Sequence, residues 1–310
     1  MRTQFCDALI AHSENPDVVF LTGDLGFMAL EPLREKMGSR FINAGIAEQN
    51  MMSAAAGLAK QNLDVWTYSI APFIYARGFE QIRNDIAFHN LPVKIVGNGG
   101  GYGYGVMGST HHAIEDYGIL LSLPNMKAFV PVFDQDIGEV IPDVAAHPGV
   151  SYIRLGRGEP PQNWDVPVYA PWRQLTEGDG APVISVGPLA GTYVAACNSI
   201  SIDRRPNLWA ISELPLSLNP IPERLMEQMK VSGQVFVAEE HVQQGSFGAD
   251  LALYLMKTMS VMIRMNHLHA LSHRFSRYGS QAYMRKQSRL DPASLLDMIE
   301  MSRHASGTAR

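Results

Sequence analysis

The chain is 310 residues long, 46% hydrophobic and 18% charged, with a mean hydropathy of −0.05. That length suits two domains of roughly 150 residues each, and no apolar run approaches the ~20 residues of a bilayer span, so membrane insertion and wholesale disorder are excluded. The net charge of −5 comes from 30 acids and 25 bases mixed along the chain, which gives no electrostatic reason to expect nucleic acid or an anionic membrane as partner and favours a small-molecule role.

The opening residues, Met1 to Asp7, lack an apolar signal core, so the expected compartment is the cytoplasm. Cys6 and Cys197 lie in different halves without a metal-type spacing and read as ordinary thiols. In chain order, Val18–Thr22, Val65–Tyr68, Val93–Val96, Ala128–Val130 and Val150–Ile153 read as strands. Between the second and third, Phe79, Ile82 and Ile86 set one apolar stripe on a helix spanning about Tyr75 to Phe88. From Gly156 to Pro182 the chain is rich in Gly and Pro with little periodicity, the signature of a linker. The pattern then restarts with Val183–Val186, Leu208–Ile211, Val235–Ala238 and Val261–Ile263 as strands, and a last helix near Pro292 to Met301. The expected class is therefore α/β, two domains, each a mostly parallel sheet with helices on both faces, divided as 1–158, a linker 159–181, and 182–310. Ligands of such sheets sit beyond the carboxyl ends of the strands.

Taken alone, Glu48 in Gly45-Ile46-Ala47-Glu48-Gln49-Asn50-Met51 is an acid suited to the dipole of a helix start. The helix that follows, with Ala54-Ala55-Ala56-Gly57-Leu58-Ala59, is too apolar for a surface element. The carboxylate is therefore expected to point into a partly buried site, where it must be paired or do chemistry. Gly103 to Gly108 satisfies a GxGxxG pattern, but Ser109-Thr110-His111-His112 follows instead of a helix, so the dinucleotide reading lacks its context.

The Gly45-to-Met51 stretch closely resembles the pyrimidine-domain motif of transketolases and deoxyxylulose-phosphate synthases. The likeness continues in order through Gly23-Asp24-Leu25, Tyr68-Ser69 to Arg83, His89 to Val93, Ser109 to His112, Leu123 to Met126, Glu239-Glu240-His241 and Gly245 to Gly248, nearly the whole chain. The resemblance implies a pyrimidine-binding domain followed by a transketolase C-terminal-like domain, and thiamine diphosphate as cofactor. Glu48 would then bind the aminopyrimidine: a carboxylic acid on the ring nitrogen favours the imino tautomer, which removes the thiazolium proton. It further implies cofactor contacts from Asp24 and from Phe73 stacking on the pyrimidine, with Tyr75 as the rival aromatic. Phe73 is spaced from Arg77 differently from transketolase by one residue. His111 would contact substrate or aid proton transfer, His112 would not, and Arg154 and Arg157 would meet a substrate phosphate. Met107 stands where relatives carry an acid that contacts a donor hydroxyl, which puts the ordinary sugar-phosphate donor in doubt.

Relatives hold the diphosphate and a divalent metal with Gly-Asp-Gly followed by a distant Asn. Gly178-Asp179-Gly180 with Asn207 mimics this, but it precedes a strand instead of ending one and reads as a turn. The resemblance thus implies a split enzyme: a separate diphosphate-binding subunit holding most of the Mg2+ contacts, a two-plus-two heterotetramer, and transfer of a two-carbon ketol unit between sugars or sugar phosphates. The alternatives are decarboxylation of a 2-oxo acid such as pyruvate with acyl transfer, and a non-catalytic scaffold. Glu239-Glu240-His241 reads as structural.

Overall fold

A computed structural model describes residues 1–26, 28–273 and 278–307. Its strands are β1 (Val18–Thr22), β2 (Phe41–Asn43), β3 (Asp64–Ile70), β4 (Lys94–Asn98), β5 (Lys127–Phe129), β6 (Ser151–Leu155), β7 (Trp172–Gln174), β8 (Pro182–Val186), β9 (Asn207–Ile211), β10 (Glu213–Leu214), β11 (Gln234–Glu239) and β12 (Arg264–His269). They form two sheets, β10-β5-β6-β4-β3-β1-β2 and β12-β11-β8-β9-β7, parallel throughout except for β10 on β5 and β7 on β9. The helices that matter below are α1 (Arg2–His12), α2 (Glu31–Met37), α3 (Glu48–Ala59), α4 (Asp116–Leu120), α5 (Ile137–Ala146), α6 (Leu189–Asn198), α7 (Glu223–Ser232), α8 (Phe247–Thr258) and α9 (Gln281–Gln287). Among the described residues no helix is long and apolar enough to cross a membrane.

Both faces of each sheet are covered, which is why the strands read as continuous apolar runs. Along β1, Val19 and Leu21 enter a core with Met51, Met52 and Ala55 of α3, while Val18 and Phe20 face Phe5, Leu9 and Leu33 of α1 and α2. Ile184, Val235 and Val237 of the second sheet belong to the same cluster as Val19 and Leu21, so one core runs through both halves. A single residue, Ser212, separates β9 from β10, and the backbone passes there from one sheet to the other; the Val130 N–H donates to its carbonyl at 2.7 Å.

The observed elements depart from the expected ones in three places, two of them at edge strands, which carry little sequence pattern. β2, β7 and β10 are two or three residues long, and β7 falls inside the stretch read as a linker. Val261–Ile263 is not a strand; pairing of Gln234 with Arg264 starts β12 three residues later, on the polar run Arg264–His269. The helix expected over Tyr75–Phe88 is a π turn (Phe73–Arg77), one α turn (Phe79–Gln81) and a second π segment (Ile82–Ala87), with Ile82 and Ile86 fully buried as the stripe requires.

Candidate active site

All strands from β1 to β6 point their carboxyl ends the same way, and the singled-out residues gather along that edge. β2 ends at Asn43, whose side-chain oxygen accepts from the Gly45 N–H at 2.9 Å. Gly45 sits at φ +73°, a left-handed turn that a side chain would strain, and it reverses the chain into α3. Glu48 is the first residue of α3, with no side-chain cap before it, so its carboxylate faces the helix's own positive end. It is 5% exposed. The Arg77 Nη1 donates to both carboxylate oxygens at 3.1 Å, and the Ser69 hydroxyl, at the end of β3, stands 3.5 Å from Oε1.

Phe73 and Arg77 belong to the π turn after β3. Four residues apart, they share one face, and the Arg77 guanidinium carbon lies 4.1 Å from the centre of the Phe73 ring. Gly78 lets this turn press on α3, since a Cβ there would meet Met52 Cγ at 2.9 Å and the Ile74 carbonyl at 3.0 Å. His111, on a short 3-10 turn after the glycine loop, sets its ring edge-on to Phe73 at 5.1 Å. Its Nδ1 pairs with the Thr110 hydroxyl at 3.0 Å, so exchange of a proton with a ligand falls to Nε2. Tyr104 adds a second ring 6.3 Å from His111, and its hydroxyl accepts from Asn98 Nδ2 at 2.6 Å. Glu48, Arg77, Phe73 and His111 thus form one chain of contacts, with Glu48 buried and Arg77 half-exposed; this cluster is the candidate slot.

The other expected residues are placed around it. Met107 and Val106 are exposed on the turn before His111. Arg157 is exposed beside Gly99 and Tyr104 in a cleft of about 360 Å³. Asp24 lies next door: its N–H donates to the Gly45 carbonyl at 3.1 Å, while its carboxylate accepts from Asn43 in a groove of about 220 Å³. Tyr75 and Arg154 do not reach the slot. The Tyr75 hydroxyl donates to Glu115 at 3.2 Å within the core. Arg154, expected to meet a phosphate, is buried; its Nε pairs with Asp116 at 3.0 Å and its Nη2 donates to the Ala113 and Glu240 carbonyls at 2.6 and 2.8 Å. Cationic residues at strand ends look alike in sequence, and only the neighbouring carboxylate and carbonyls turn this one inward.

His112 is buried, paired with the Gly105 carbonyl at 3.1 Å, and burial lowers its pKa. Glu239, Glu240 and His241 join the halves. Glu239 accepts from the Tyr117 hydroxyl on α4, from Phe247 N and Gly248 N at the head of α8, and pairs with His267 at 2.7 Å. Glu240 pairs with Arg285 of α9, and His241 Nε2 accepts from Gly118 N at 3.1 Å. Gly178-Asp179-Gly180 is a turn at the amino ends of β8 and β9: Asn207 Nδ2 donates to the Gly178 and Gly180 carbonyls at 2.7 and 2.8 Å.

Residues 1–162 match the family described as transketolase, pyrimidine binding domain. The chain belongs to this transketolase family. Across almost its full length, this transketolase-family chain is 28% identical to one subunit of the apulose-4-phosphate transketolase of Phocaeicola vulgatus, an alignment of 292 residues that covers 90% of the chain and 92% of that relative. The corresponding apulose-4-phosphate transketolase chain of Actinobacillus succinogenes is 27% identical, with 87% and 86% covered. Among solved structures, a split-gene transketolase described as an inactive beta4 tetramer superposes with a TM-score of 0.80 at 28% identity, covering 97% of this chain and 96% of that one. Campylobacter jejuni transketolase shares the fold at 16% identity and a TM-score of 0.75, with this chain spanning 46% of its length.

Proposed function

We propose that this chain supplies the pyrimidine half of a split, thiamine-diphosphate-dependent transketolase-type transferase that moves a two-carbon ketol unit between sugars or sugar phosphates. The carrying observation is the buried Glu48 carboxylate at the head of α3, linked through Arg77 to the Phe73 ring and from there to His111. These residues fit an aminopyrimidine: a carboxyl group that can share a proton with a ring nitrogen lies near an aromatic face, and both already take the flat guanidinium of Arg77. When bound, the cofactor supplies an acidic thiazolium carbon and an electron sink for carbon–carbon cleavage. Glu48 holds a proton at the pyrimidine ring nitrogen, Phe73 orients the ring, and His111 moves protons to or from substrate through Nε2. Arg157, in the cleft beside Tyr104, would meet an anionic substrate group, a reading supported by the phosphate in the names of the two apulose-4-phosphate transketolase relatives. Met107, exposed on the turn before His111, would offer substrate an apolar contact.

The diphosphate and Mg2+ fall to a separate subunit in this reading, which the closed Gly178-to-Gly180 turn supports. The assembly would be a two-plus-two heterotetramer in the cytoplasm. The test is ketol transfer by the chain mixed with a diphosphate-binding polypeptide, thiamine diphosphate and Mg2+, using ketose phosphates against pyruvate. Transfer that falls at least a hundredfold in Glu48→Gln is expected. A Glu48→Gln complex that assembles and keeps full activity overturns the assignment, carbon dioxide release from pyruvate without ketol transfer overturns the reaction type, and no turnover at all overturns the enzyme.

A further inference from the structure

Arg77 occupies the place that the proposed function gives to the cofactor's aminopyrimidine. Its guanidinium lies 4.1 Å from the centre of the Phe73 ring and donates to both oxygens of Glu48 at 3.1 Å. A guanidinium is flat, delocalised and armed with in-plane N–H donors. An aminopyrimidine shares the flat, delocalised face that lies on Phe73, and its ring nitrogen would take the same edge of Glu48, there sharing the proton of the carboxyl group. The Arg77 guanidinium thus bridges the Phe73 ring and the Glu48 carboxylate, and His111 packs on the same ring with centroids 5.1 Å apart. One aromatic surface and one carboxyl edge cannot serve two planar groups at once.

The two partners differ in freedom. The Glu48 side chain is 5% exposed and fixed at a helix start, whereas the Arg77 side chain is 47% exposed. Arg77 can therefore leave the slot while Glu48 and Phe73 stay. We infer that Arg77 is an internal stand-in for the pyrimidine and sets the affinity of the site, because the incoming ring has to displace it. This inference rests on the proposed cofactor role of Glu48. The stand-in keeps the buried carboxylate paired, which would otherwise be left uncompensated. Once displaced, the guanidinium returns to solvent at the mouth.

The test is titration of thiamine diphosphate with Mg2+ into the assembled complex with the diphosphate-binding polypeptide, followed by calorimetry, for the wild type, Arg77→Met, Arg77→Lys and Glu48→Gln. A half-exposed ion pair and a cation–π contact together correspond to about tenfold in affinity. Arg77→Met is expected to bind about tenfold tighter. Arg77→Lys should fall between the two, because an ammonium can pair with Glu48 but has no flat face for Phe73. Unchanged or weaker binding in Arg77→Met, with Glu48→Gln weakened, overturns the stand-in and leaves the role of Glu48 intact. If Glu48→Gln binds as tightly as the wild type, the role of Glu48 fails, and the stand-in with it. Melting curves of each variant confirm that the fold is kept.

Discussion

Tyr117→Phe probes the joint between the two halves. The Tyr117 hydroxyl donates to Glu239, a carboxylate with no exposed surface that also accepts from Phe247 N at 3.0 Å and Gly248 N at 2.8 Å and pairs with His267 at 2.7 Å. The substitution removes one charge-assisted hydrogen bond, worth about 1.5–3 kcal/mol. It keeps the ring that stacks on His241 at 4.1 Å and lies beneath the Arg154 guanidinium at 5.0 Å. Glu239 retains three donors, so no orphaned charge adds to the loss. At ~2–4 °C per kcal/mol, the sensitivity of domains of about 150–250 residues, the melting temperature should fall by roughly 3–12 °C, read by circular dichroism. In a double-mutant cycle with Glu239→Gln, the coupling should be of the same order as the single loss. It should also depend on pH. Burial raises the Glu239 pKa, but the His267 hydrogen bond and charge, the His241 charge and the Tyr117 hydroxyl outweigh it, so the folded value lies below 4.5. The folded state therefore binds fewer protons than the unfolded one, and this stability is present above about pH 4.5 and lost as pH falls through the folded value. A Tyr117→Phe variant within about 0.5 kcal/mol of wild type at neutral pH, or a coupling near zero, would refute the argument.

Gly97→Ala should cost about 1–3 kcal/mol in urea unfolding, because the new Cβ would lie 2.5 Å from the Tyr152 hydroxyl, itself pinned by Asp116 at 2.7 Å. Asp136→Ala should cost about 3–5 kcal/mol by the same assay, since it strands the buried Arg173 guanidinium and the Val132 and Phe133 N–H groups. In the assembled complex, His111→Asn should lower kcat by about 10²–10⁴-fold with little change in thiamine diphosphate affinity; equal turnover would remove His111 from proton transfer. Between pH 6.5 and the lowered folded pKa of His112, acidification should destabilise the chain, because burial keeps this ring neutral when folded while the unfolded ring protonates; His112→Gln should flatten that slope in unfolding measurements.

Local pattern carried most of the sheets and the motif around Glu48. β-branched runs need no distant partner to be recognised, and eight of the nine expected strands coincide with observed ones. The turn at Gly45 and the acid at the start of an apolar helix were legible for the same reason: both are local. The structure alone decided which polar side chains face the slot and which face the core. Arg154 and Arg157 are three residues apart near the same strand end, yet Asp116 and two carbonyls draw one inward and leave the other on the surface. Phe73 and Tyr75 are two apart on one turn, and only Phe73 meets Glu48's partner and His111, because Glu115 takes the Tyr75 hydroxyl. The i to i+4 spacing of Phe73 and Arg77 agrees with their contact, but nothing local pointed to the ion pair of Arg77 with Glu48. Strand and helix preferences are set by neighbours along the chain, but the direction of a charged side chain is set by whichever opposite charge folding brings beside it, and that partner can be anywhere in the sequence.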